Sequence, residues 1–133
     1  VFFDTNNDLA LSDAEPRGVV GSDGAFSLAT GALSGAGQVV VLPNTTAPEE
    51  CADQFTGTPL AKALRVPVEE AGIVAVTPLS DLAAQMMDGG MSRTEAAAAI
   101  LATYGISSSL DLYAEDTLFG TLSGTAGAEE LYL

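Results

Sequence analysis

The chain has 133 residues, 47% of them hydrophobic and 6% aromatic, enough for one domain with a small appendage and too few for two full domains. Four basic side chains, Arg17, Lys62, Arg65 and Arg93, face eighteen acidic ones, and the net charge of −14 disfavours both nucleic-acid binding and attachment to anionic lipid. A mean hydropathy of +0.31 argues against disorder, yet no apolar run approaches the ~18 residues that span a bilayer, so no membrane insertion is expected.

The chain contains no histidine, which excludes Ser-His-Asp and Cys-His catalysis and any imidazole metal site. The single cysteine, Cys51, cannot close an intramolecular disulfide or a Cys-rich zinc site. Its acidic surroundings (Glu49, Glu50, Asp53) argue against a nucleophile and leave a free thiol or an intermolecular disulfide. What remains for chemistry is carboxylate, amide and hydroxyl oxygen, the ligand set of a hard cation such as calcium.

Val1 opens directly in an apolar, strand-like run, Val-Phe-Phe, with no initiator methionine, as in a mature or processed fragment. Residues 18–20 and 25–28 flank Ser22-Asp23-Gly24, a hairpin-type turn signal. Residues 31–37 read as a Gly/Ala/Ser loop, and Gln38-Val39-Val40-Val41-Leu42 is the strongest strand candidate, stopped by Pro43. After a polar stretch over 44–58, residues 60–66 and 72–76 read as two further strands around a turn at 67–70. Together these elements predict an antiparallel β-sandwich over 1–76.

At Thr77 the period changes. Thr77-Pro78 is an N-cap with proline at the first helical position, and Leu79, Leu82, Ala83 and Met86 then fall on one helical face up to Asp88-Gly89-Gly90. Ser92-Arg93-Thr94-Glu95 is a capping box, Ala97, Ile100, Leu101 and Tyr104 repeat the stripe, and Gly105 is the expected stop. A last short helix is expected over 111–115. The fold class is therefore α+β, with a sandwich, a helical hairpin over 77–118 packed on it, and a linker or docking tail over 119–133.

One motif carries chemistry. Asp4-Thr5-Asn6-Asn7-Asp8-Leu9-Ala10-Leu11-Ser12-Asp13-Ala14-Glu15 fits the twelve-position calcium loop. Asp4, Asn6 and Asp8 supply oxygen at positions 1, 3 and 5, the Ala10 carbonyl stands at 7, Ser12 acts through water at 9, and Glu15 at 12 supplies two oxygens. Asp13 is a spare carboxylate. Leu9 departs from the pattern, because position 6 turns sharply and is usually glycine. Either Leu9 adopts an unfavourable backbone conformation, or the loop is not of the helix-loop-helix type, as its strand-like flank and Pro16 suggest. The alternative reading is an ion-free acidic turn in which Asp and Asn favour the backbone shape.

Val-Phe-Phe-Asp-Thr-Asn-Asn-Asp, with Asp-Ala-Glu-Pro and Gly-Ser-Asp-Gly-Ala-Phe-Ser-Leu after it, resembles the calcium-binding B-type repeats of bacterial surface adhesins. It also resembles the related carboxypeptidase regulatory-like (transthyretin-like) sandwich modules. Residues 74–82, with the 92–104 helix, resemble a Thr-Pro-Leu segment of large secreted microbial surface proteins. The resemblance implies an Ig/transthyretin-like, extracellular, calcium-stabilised, non-catalytic module whose partners are neighbouring copies or domains of the same protein. A sandwich edge left open could be filled by strand donation from a neighbour, with 120–133 as the donor. The competing function is a carbohydrate- or ligand-binding module of a secreted enzyme, resting on Phe26, Phe55, Tyr104 and Tyr113.

Other candidates are weaker. Asn44-Thr45-Thr46 is a glycosylation acceptor. Asp111, Glu115 and Asp116 could form a second cation site, although a solvated helix end is simpler. Met86, Met87 and Met91 read as packing residues. Paired carboxylates alone would permit glycoside hydrolysis, but a short chain without tryptophan lacks sugar platforms.

Overall fold

The computed structural model describes residues 1–31, 33, 35–53 and 56–115. Asp116, Phe55 and the tail over 119–133, including the proposed donor segment, lie outside the described residues. Strands β1 (Phe2–Asp4), β2 (Gly37–Val41) and β3 (Leu64–Val68) form one antiparallel sheet in the order β1-β2-β3, followed by helices α1 (Pro78–Asp88) and α2 (Arg93–Thr103). The class is mixed α+β.

The sheet has two faces with different work. The register sets Phe3, Val39 and Val66 side by side, and with Val68 they face Ala83, Ala96, Ile100, Leu101 and Leu112 in the main hydrophobic cluster. The opposite face carries Phe2 and Val40, and also the polar side chains Asp4, Gln38 and Arg65, all buried. Gly37 lets the chain pass close to the loop base, since a Cβ there would stand 2.7 Å from the Asp4 carbonyl oxygen.

Both helices start and stop where the sequence places them. Thr77 and Ser80 form a reciprocal capping box on α1, as do Ser92 and Glu95 on α2, so two orphan amides are satisfied at each helix start. At the other ends, Gly90 and Gly105 have φ of 108° and 66°, and the Met91 and Ile106 amides reach back to the Met86 and Leu101 carbonyls. Ile106 is buried by this turn, and Tyr113 closes over α2 with its hydroxyl donating to the Arg93 carbonyl at 2.6 Å. Met86 and Met87 pack on the cluster, whereas Met91 is exposed.

The sandwich expectation is met only in part, since the described residues contain one sheet and no second sheet facing it. Residues 18–20 and 25–28 do turn back on each other through Ser22-Asp23-Gly24, with the Gly21 amide on the Ala25 carbonyl at 2.8 Å. They form no ladder, because Gly18, Gly21, Ala25 and Ser27 supply few of the branched or aromatic side chains that hold one. Residues 72–76 likewise join no strand pairing, and the Ala75 amide donates to the Tyr113 carbonyl at 2.8 Å. The turn expected at 67–70 begins later, since β3 runs through Pro67 as an edge strand that needs no amide donor there. Residues 111–115 make turns and no regular helix. Tyr104, expected on the buried stripe, caps α2 and is exposed.

Neither sheet edge is bare. Along β1, the Phe3 amide donates to the Pro16 carbonyl and the Gly18 amide to the Val1 carbonyl, both at 2.9 Å. Along β3, the Arg65 and Pro67 carbonyls accept from Ser80 Oγ at 2.9 Å and Arg93 Nε at 3.2 Å. Lacking Pro67's amide hydrogen and with these acceptors engaged, β3 is a poor template for an added strand. Truncating Phe3, 5% exposed at the centre of the cluster, is expected to cost about 3–5 kcal/mol, read as a lowered midpoint in urea at unchanged slope.

Candidate metal centre

The loop that follows β1 is built by its own side chains. Asp4, Asn6 and Asp8 each accept an amide hydrogen from two residues further on: Asn6 N to Asp4 Oδ1 at 3.2 Å, Asp8 N to Asn6 Oδ1 at 3.1 Å, and Ala10 N to Asp8 Oδ1 at 2.8 Å. Three successive Asx turns therefore curl the chain, and the alternate spacing read as a ligand pattern is also a turn pattern. The returning strand bridges Arg17 to Phe2 and closes the base.

Asp4 lies at the centre with no exposed surface. Its Oδ1 also accepts the Asn7 amide at 2.7 Å, and its Oδ2 accepts the Leu9 amide at 3.0 Å and Gln38 Nε2 at 2.9 Å. Four donors thus occupy the roughly four lone-pair sites of one carboxylate. Glu15, 5% exposed, closes the other end, with Oε1 on the Thr5 amide and Oε2 on the Ser12 amide, both at 2.9 Å. Burial pushes the Asp4 carboxyl up, but the Gln38 side chain and the Leu9, Asn7 and Asn6 amides outweigh it and hold the group below the ordinary range. The Ser12 and Thr5 amides do the same for Glu15, against desolvation and the charge of Asp4.

Leu9 resolves the question its identity raises. It adopts φ 60°, and Asn7 adopts φ 58°, so position 6 of the loop has the left-handed turn that glycine usually makes. A leucine in that region costs roughly 1–2 kcal/mol, which the surrounding hydrogen bonds must hold in place.

The other expected ligands stand apart from the two buried carboxylates. Asn6 and Asp8 are exposed at the rim and bonded to each other, Asn6 Nδ2 to Asp8 Oδ2 at 2.9 Å. Ala10 is exposed, Ser12 offers its amide to Glu15 and its carbonyl to Arg17, and Asp13 turns outward to Arg17 at 3.7 Å. Among the described residues, no three Asp, Glu or Cys side chains stand together as a formed cation cluster. Asn6 Oδ1 and both Asp8 oxygens each accept one hydrogen bond, leaving lone pairs of the type a hard cation takes.

The remaining candidates are dispersed. Asn44 Oδ1 accepts the Thr46 and Ala47 amides, so the acceptor asparagine is half-buried and engaged in its own turn. Cys51 is a free, half-buried thiol. Asp111 accepts the Tyr113 amide. Gln38 was missed as a partner of the loop and Arg65 as a partner of Gln38; the available signal was a lone polar side chain in each of two apolar strands.

Two outcomes are expected. Leu9→Gly relieves the left-handed strain at a side chain that packs little, and should stabilise by about 0.5–1 kcal/mol after the larger unfolded-state entropy of glycine, a rise of a few degrees in thermal melting. Asp4→Asn should cost about 1.5–3 kcal/mol at pH 7 through its charge-assisted bonds. Because the folded carboxyl sits below its unfolded value, the unfolded chain binds more protons near pH 4; the stabilisation is complete above about pH 4 and lost as the pH falls further. The gap between wild type and Asp4→Asn in denaturant melts should therefore close on the acid side.

No family model, curated protein or solved structure matches this chain.

Proposed function

We propose that the chain is a calcium-stabilised, non-catalytic structural or adhesive module of an extracellular surface or filament protein. The observation that supports this reading is the left-handed backbone at Leu9, the conformation that position 6 of a calcium loop uses, taken despite an unfavourable side chain. Asp4, Asn6, Asp8 and Glu15, with the Ala10 carbonyl, would hold the ion, and Ser12 and Asp13 would stand around it. Bound calcium would offset the mutual repulsion of these carboxylates in a chain of net charge −14.

A cation entering the loop would have to displace amide donors from Asp4, which suits a weak site. The described residues include no helix long and apolar enough to cross a membrane. Partners on this reading are neighbouring copies or domains of the same protein. On this reading a second layer would pack on residues 20–30 and 71–77, which border a groove of about 920 Å³ beside the helix-covered face of the sheet. Strand donation would have to displace the groups that already bond along the sheet edges.

The same groove favours the second reading, a ligand-binding module, since Phe26, Leu28 and Val74 line it beside Asp23 and Thr30. Retention on polysaccharide in pull-down assays would support it.

Calcium at a hundredfold excess over Kd should stabilise the fold by about 2.7 kcal/mol and raise the melting temperature by several degrees relative to EDTA. Asp4→Ala and Glu15→Ala should abolish the shift. Identical curves for wild type in calcium and EDTA would remove the calcium reading.

A further inference from the structure

A buried polar chain runs from the loop across the sheet to α1. Asp4 is 0% exposed, Gln38 4%, Arg65 9% and Asp81 5%. Asp4 and Gln38 are direct cross-strand partners and Arg65 is diagonal to Gln38 on the same face. Gln38 Nε2 donates to Asp4 Oδ2 at 2.9 Å, and Arg65 Nη1 donates to Gln38 Oε1 at 3.4 Å. The same guanidinium reaches Asp81 Oδ1 at 3.5 Å through Nε and Asp88 Oδ2 at 2.6 Å through Nη2. Asp81 stands in the first turn of α1 and Asp88 is its last residue, so one arginine ties both ends of the helix. The Asp88 charge opposes the dipole at a helix C-terminus, which makes Arg65 its needed partner.

The chain has little slack. All lone pairs of Asp4 are taken, so a ligand entering its shell must displace a donor. Three of the four donors are amides of the loop itself, and the fourth is Gln38. A displaced Gln38 would no longer present its carbonyl oxygen to Arg65 in the same position. Buried polar groups respond strongly to such changes, because each unmade bond carries its full desolvation cost.

We propose that Gln38 is a positioning residue that couples the state of the 4–15 loop to helix α1 through Arg65. Its natural trigger, cation occupancy, rests on the calcium reading; the coupling itself does not. The test is amide hydrogen exchange of α1 in four proteins: wild type, Asp4→Asn, Gln38→Met and the double variant. The last two are repeated with Gln38→Asn, which is too short to reach both neighbours, should Gln38→Met not fold. The α2 amides, outside the polar chain, serve as the internal reference for an intact fold.

In the native background, Asp4→Asn should speed exchange of α1 relative to α2 by about fivefold or more, and in the Gln38 background by less than twofold. Equal effects in both backgrounds, or an α1 that ignores Asp4→Asn, would overturn the coupling. A parallel comparison in calcium and EDTA separates the two claims. Calcium protection confined to the loop, with α1 indifferent to Asp4→Asn, sinks the coupling and keeps the ion. No calcium effect anywhere, with the Gln38-dependent response to Asp4→Asn intact, sinks the ion and keeps the coupling.

Discussion

The structure depends on one buried carboxylate. Asp4 ends β1, opens the loop and faces Gln38 across the sheet, so its four donors draw three parts of the chain to one point. Without it the loop would have no interior, and the left-handed turns at Asn7 and Leu9 would keep only the exposed Asx bonds of Asn6 and Asp8. Glu15 repeats the device at the far end by gathering the Thr5 and Ser12 amides. Carboxylates held this way have their pKa lowered by the amides they accept, and the loop uses that charge whether its partners are amides or an ion.

The helical half was legible because its signals are local. Thr77-Pro78, the Ser92–Glu95 box and the glycines at 90 and 105 act within a few residues, and each does in space what its spacing implies. The strands were less so. Residues 18–28 have the alternation of a hairpin, but ladder formation depends on side-chain bulk that glycine, alanine and serine do not supply. Pro67 reads as a turn residue, whereas in an edge strand its missing amide is harmless.

The loop was legible in outline and ambiguous in chemistry. Oxygen side chains at alternate positions serve a cation and a run of Asx turns equally well, since both need acceptors turned to the inside of a curl. Sequence alone could not show that Leu9 takes the left-handed turn. Nor could it show that Gln38, thirty-four residues from Asp4, supplies a donor to it. Contacts of that kind are set by register, and register follows from the whole sheet.

The most direct measurement is a calcium titration followed residue by residue by heteronuclear NMR, with magnesium as the comparison ion. The expected result is a single saturating set of shifts centred on residues 4–15, largest at Asp8, Leu9 and Ala10, with magnesium much weaker. Shifts that are absent, or that spread without saturation over the acidic surface, would contradict a cation role for the loop and leave it a turn closed by its own amides.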